Sequence, residues 1–152
     1  MLQFELLDTN ARPSARPLAV TIGERIASRL AEGCHLTRSI IAAFLADETG
    51  VESWGTAWSI DDFNDAIEIG ALSWLRSHGR IALDTAVHDA AARFEWLDAA
   101  LPPRHVRSET QIELQQFSTP PMLSWLMARA AQLRASDTVL EPSCGNGALA
   151  LW

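Results

Sequence analysis

The sequence predicts a mainly α protein in two stretches: a helical N-terminal unit, residues 1–106, then the opening of a doubly wound α/β domain, residues 107–152. Three observations predict it. Apolar residues recur at helical spacing through the first stretch, between residues suited to capping helices. Pro102-Pro103 stops the last of these helices, because proline lacks the amide and disfavours helix in the residue before it. Beyond that point the pattern becomes helix, short β-branched run, glycine loop and helix start.

The elements follow in order. The segment through Pro17 carries Arg12, Pro13 and Arg16 and reads as an extended arm. A first helix is predicted over residues 20–31, closed by Gly33. Thr37 is suited to cap a second, which places Ile40, Ile41, Phe44 and Leu45 on one face and Gly50 past its end. Residues 52–58 form a loop containing Trp54 and Trp58. Ser59 and Asp62 have capping-box spacing at the head of a third helix. Phe63, Ile67, Gly70 and Trp74 recur along it at helical period, and His78-Gly79 ends it. A fourth helix is predicted over residues 85–101, with Val87, Ala91, Phe94 and Leu97 inward.

After the proline pair, residues 107–116 are polar and read as a short helix. Thr119 can cap the next helix with Pro120 at its first position, where a missing amide has no consequence. Leu123, Leu126, Met127 and Ala130 would form its apolar stripe. Thr138-Val139-Leu140 reads as a buried strand, residues 141–147 as a loop, and residues 148–152 as the beginning of a helix.

A single buried strand needs neighbours on both hydrogen-bonding edges. A helix of about five residues is far below the length that is stable alone. The chain is therefore expected to be cut short just after the loop.

Composition narrows the function classes. The chain has 152 residues, 48% hydrophobic and 20% charged, which is enough for a globular core. A net charge of −7 argues against a free-standing nucleic-acid module but not against part of a larger DNA enzyme. Cys34 and Cys144 are the two cysteines and lie far apart, so a reduced, cytoplasmic setting is expected rather than a disulfide framework. No apolar run is long enough to span a bilayer, so no membrane partner is expected.

The chemistry-bearing segment is the loop. Gly145, Gly147 and Ala150 form a G-x-G-x-x-A pattern after the predicted strand. Glycine there permits a tight turn and close approach of backbone to a ligand, and a following helix aims its amides at the same place. Alone, this pattern suits a dinucleotide, an adenosine-containing methyl donor or a plain turn. No Gly-Lys-Ser/Thr follows, so triphosphate binding is disfavoured.

Leu140-Glu141-Pro142-Ser143-Cys144-Gly145-Asn146-Gly147 resembles motif I of adenine-specific DNA methyltransferases. Gln116-Phe117-Ser118-Thr119-Pro120-Pro121, one helix upstream, resembles their motif X. This motif order is that of the gamma-type enzymes and the modification subunits of restriction systems. The wording of residues 109–120 is more similar still to large plasmid-associated proteins that fuse such a methyltransferase to a strawberry notch-like helicase.

The resemblance implies a class I, Rossmann-like methyltransferase domain that binds S-adenosylmethionine and acts on DNA. It implies that Ser118, Thr119 and Pro120 line the methionine end of the donor, and that Glu141 faces its amine. It also implies that Pro142, Ser143, Gly145, Asn146 and Gly147 form the loop that meets the donor. A helicase in the same polypeptide is a further expectation. The family's catalytic run, Asp/Asn-Pro-Pro-aromatic, is missing: the two Pro-Pro pairs read Leu101-Pro102-Pro103-Arg104 and Thr119-Pro120-Pro121-Met122. No catalytic residue is assigned, and the chain by itself is expected to be inactive. DNA contacts would lie in regions outside it.

Other features have blander readings. His35, His78, His88 and His105 share no metal-ligand spacing, and Cys144 has no second ligand nearby in sequence. Asp61, Asp62, Asp65 and Glu68 form an acidic first turn and face favoured by the helix dipole. Trp74 and Trp96 are expected in the core, and Trp54 and Trp58 are the better interface candidates. Two alternatives remain: a non-catalytic helical interaction module, and a dinucleotide-binding domain.

Overall fold

The computed structural model describes residues 17–51, 58–103, 118–134, 136–142 and 144–152. The predicted N-terminal arm, the Trp54 loop, the short helix at 107–116 and the 106/107 boundary lie outside the described residues. Within them are helices α1 (Leu18–Ala31), α2 (Arg38–Thr49), α3 (Ile60–Ser77), α4 (Val87–Ala100) and α5 (Pro121–Ala130), with a 3-10 turn at Leu149–Leu151.

The helix ends follow local chemistry. Thr37 Oγ1 accepts from Ile40 N at 3.3 Å and so satisfies an orphan amide of α2. Gly50 closes α2 at φ 69°, a conformation that L side chains rarely adopt. Ser59 and Asp62 complete a reciprocal capping box: Ser59 Oγ accepts from Asp62 N at 3.1 Å, and Asp62 Oδ2 accepts from Ser59 N at 2.7 Å.

The core begins where α1 crosses α3. Ile22, Ile26 and Leu30 of α1 meet Phe63, Ile67 and Leu75 of α3, all essentially without exposure. Gly23 and Gly70 lie in this contact. A Cβ on Gly70 would stand 2.4 Å from Ile26 Cγ2, so the two helices are as close as glycine allows. Arg25 ties α1 to α2 by donating to Asp47 Oδ2 at 2.9 Å, while its guanidinium lies 4.3 Å from the Phe44 ring centroid. The α1–α2 link is pinned to the end of α4, where Leu36 N donates to Ala100 O at 2.7 Å and Arg38 Nη2 to Pro103 O at 2.8 Å.

Residues beyond the proline pair pack on this unit. Trp125 of α5 is fully buried, with its ring centroid 6.2 Å from that of Phe94 of α4. Its Nε1 donates to Ala82 O at 3.3 Å, and Arg129 donates to Thr85 O. The ring centroid of Trp152 also lies 6.2 Å from that of Phe94, and its Nε1 donates to Ser124 Oγ at 2.9 Å. One hydrophobic cluster thus holds residues of α1 to α5 together with Ala148.

Several expectations are corrected. Among the described residues there is no β-ladder, and the predicted buried strand at 138–140 is exposed, Val139 at 59% and Leu140 at 87%. A lone extended segment with no neighbouring strand has nothing to pair or pack against. The helix expected from residue 148 is the three-residue 3-10 turn. The cap of α5 is Pro120 rather than Thr119, with Pro121 as first helical residue. Its inward face is Pro121, Ser124, Trp125 and Ala128, whereas Leu123, Met127 and Ala130 face outward. The largest side chain, Trp125, sets that face. Val87 is 46% exposed at the open first turn of α4, Ala90 taking the inward position, and Ile40 of α2 is exposed. Trp58 is buried and stacks with Phe63 at 6.1 Å rather than facing a partner.

Candidate functional site

Near the middle of α3, Glu68 falls on the stripe that it shares with Ala71, Leu72 and Leu75, at i+3, i+4 and i+7. All four are buried, Glu68 at 5% exposure. A carboxylate in such a place is stable when donors reach it, since burying a charge without them costs several kcal/mol, on the order of the penalty for an unpaired ion. Two donors come from distant parts of the chain. Ser118 Oγ donates to Glu68 Oε2. Asn146 Nδ2 donates to the same oxygen at 3.2 Å and to Asp65 Oδ1, one turn earlier on α3, at 3.1 Å.

Both hydrogens of the Asn146 amide therefore have a carboxylate acceptor. The arrangement fixes the orientation of the amide group, because the reverse orientation would set Oδ1 against two anions. Asn146 sits between Gly145 at φ 49° and Gly147 at φ 90°, and Gly147 N donates to Cys144 O at 2.7 Å. A Cβ on either glycine would meet nothing within 4 Å. The glycines thus serve backbone conformation, and open space lies over the loop.

The residues singled out in the sequence divide as follows. Ser118 and Asn146, from the two separate motifs, are brought together at Glu68. Thr119 is half-buried and follows Ser118 directly, and Pro120 is exposed at the head of α5. That head offers little to an anion in its first turn, since Pro120 and Pro121 have no amide hydrogen. Glu141 is half-buried and Pro142 exposed on the stretch that leads into the loop. Ser143 lies outside the described residues. Because the element after the loop is a short 3-10 turn, no helix dipole is aimed at it in this chain.

Sequence reading missed Glu68 and Asp65 as members of this site. Reading the acidic run as a turn and face favoured by the helix dipole overlooked the signal that Glu68 keeps helical register with Ala71, Leu72 and Leu75. Among the described residues no group of three His, Cys, Asp or Glu is placed to hold a metal ion, and Cys34 and Cys144 are free thiols. No described helix is long and apolar enough to cross a membrane.

No protein-family model matches the chain, and no curated protein or solved structure matches it.

Proposed function

We propose that the chain is the N-terminal portion of an S-adenosylmethionine-dependent DNA adenine methyltransferase, with a helicase as a further part of the same polypeptide. One observation carries the reading: Ser118 and Asn146, from the segments that resemble motifs X and I, meet at one buried carboxylate. Two motifs with independent reasons to touch one ligand are expected to converge in space, and a chance glycine turn has no such reason.

The residues present fit the donor in chemical type. The space over Gly145 and Gly147 leaves their backbone approachable. Asp65 and Glu68, which hold the loop at Asn146, and Glu141, on the stretch leading into it, are carboxylates of the type that suits an ammonium and a sulfonium. The hydroxyl of Thr119 suits a carboxylate, whereas that of Ser118 already donates its hydrogen to Glu68. When bound, the donor supplies an activated methyl group. The chain's own part is to hold and orient it, and the acceptor adenine would be held by the Asp/Asn-Pro-Pro-aromatic run that these residues lack. The apolar side chains of Leu123, Met127, Val139 and Leu140, all exposed, also support the reading, since neighbouring elements of a doubly wound sheet would bury them.

Ligand-observed saturation-transfer NMR tests it, because that method detects weak binding. The chain should transfer magnetisation to the adenosine and methyl protons of S-adenosylmethionine, and excess S-adenosylhomocysteine should abolish the signal. No transfer at millimolar ligand would remove the reading and leave the glycine loop as a plain turn.

A further inference from the structure

We infer that Glu68 is a positioning residue for the glycine loop, so that the helical region before Pro102 supplies part of the donor site rather than a separate neighbouring unit. The identity of the ligand rests on the methyltransferase reading; the geometry does not.

The placement of Glu68 carries the inference. It stands on α3, 50 positions from Ser118 and 78 from Asn146, and it reaches both through one oxygen. Ser118 leads directly into α5, and Asn146 is the central residue of the loop. One buried carboxylate thus sets the distance between the two segments. Asp65 adds a second acceptor for the Asn146 amide at 3.1 Å, which fixes the rotation of that side chain as well as its position.

The loop needs such an anchor. Gly145 and Gly147 both hold positive φ, and glycine samples many other conformations at little cost. The turn formed by Gly147 N and Cys144 O spans the loop itself and does not tie it to a helix. The amide of Asn146 does, and it binds to the face of α3 that packs against the core. A loop held this way enters ligand binding already ordered, which lowers the entropy lost on association.

The test is amide hydrogen exchange on the full chain, read at Gly147. Losing a charge-assisted hydrogen bond corresponds to roughly a tenfold to hundredfold change in a local equilibrium. Glu68→Ala should therefore speed exchange at Gly147 by about that factor, while amides of Ile26 and Leu97 keep their wild-type protection. Glu68→Gln, whose carbonyl oxygen can take both donors, should keep most of the protection. A general loss of stability would instead move all three amides together and show no rescue by glutamine. Asn146→Ala removes the same tie without emptying a buried position, and should reproduce the Gly147 effect even where Glu68→Ala does not fold.

Binding of S-adenosylmethionine, measured by saturation transfer on the same samples, should weaken in the order wild type, Glu68→Gln, Glu68→Ala. Wild-type exchange at Gly147 in Asn146→Ala overturns the inference, as does tighter donor binding in a folded Glu68→Ala. If exchange behaves as expected and the wild-type chain binds no donor, positioning by Glu68 stands and the methyltransferase reading falls.

Discussion

Gly70 of α3 lies directly against Gly23 of α1: a Cβ placed on Gly70 would stand 3.1 Å from the Gly23 carbonyl oxygen as well as 2.4 Å from Ile26 Cγ2. The contact has two opposing consequences for alanine. In a free helix, glycine to alanine gains about 1 kcal/mol in propensity. In this crossing the added methyl must move a backbone or an Ile26 side chain that is itself fully buried. Overpacking of that kind costs about 1–3 kcal/mol, and an approach of 2.4 Å calls for the upper half of that range, about 2–3 kcal/mol, so Gly70→Ala should be destabilising overall by about 1–2 kcal/mol. Urea unfolding measures it, and a variant as stable as wild type would mean that the helices can separate without loss.

Trp125 joins the later part of the chain to the helical unit. Its ring is fully buried between α4 and the turn before it, and its Nε1 donates to Ala82 O. Trp125→Ala should lose about 3–5 kcal/mol, the usual range for a buried tryptophan. A chain shortened to end at Pro103 should still unfold cooperatively with strong helical circular dichroism, since the α1–α3 crossing remains. It should be less stable than the full chain, because Phe94, 3% exposed here, loses both Trp125 and Trp152. A featureless melt from the shortened chain would mean that α1 to α4 need the rest in order to fold at all.

Two substitutions in and before the glycine loop test the proposed function. Gly147→Val places a β-branched residue at φ 90°, where strain rather than crowding opposes it, because no atom lies within 4 Å of the added Cβ. Glu141→Ala removes a carboxylate expected to face the donor's amine; a charge-assisted hydrogen bond of this sort contributes about 1.5–3 kcal/mol. Each should weaken S-adenosylmethionine binding roughly tenfold to hundredfold. Unchanged affinity in both would reduce the loop to a structural turn.

The 152-residue chain should transfer no methyl group to DNA. Neither Pro-Pro pair is preceded by Asp or Asn, and neither is followed by an aromatic residue, so the run that would hold the acceptor amine under the proposed function does not occur in these residues. Incubation with radiolabelled S-adenosylmethionine and unmethylated DNA should leave the adenines unlabelled. Label in adenine would show that the chain holds an acceptor site of another kind.

What the sequence determined by itself is local. The Thr37 cap, the Ser59–Asp62 capping box, Gly50 at the end of α2 and the stop at Pro102 were legible because each depends on residues within one turn of one another. Part of the inward face of α3 was legible for a related reason: Phe63, Ile67 and Gly70 recur along it at helical period. In α5 nearly every position is apolar or small, so periodicity could not choose a face, and packing against Phe94 chose Trp125 over Leu123 and Met127. The segment at 138–140 carries strand-forming residues, yet a strand exists only through its neighbours, and none is paired with it here. The site shows the same division. The motifs of Ser118 and Asn146 could be read along the chain, but Glu68 joined them only when folding brought a residue 50 and 78 positions away to within hydrogen-bonding distance. Such a contact is fixed by the crossing of helices and the burial of a charge, and neither leaves a mark on neighbouring residues beyond the register of one carboxylate on an apolar stripe.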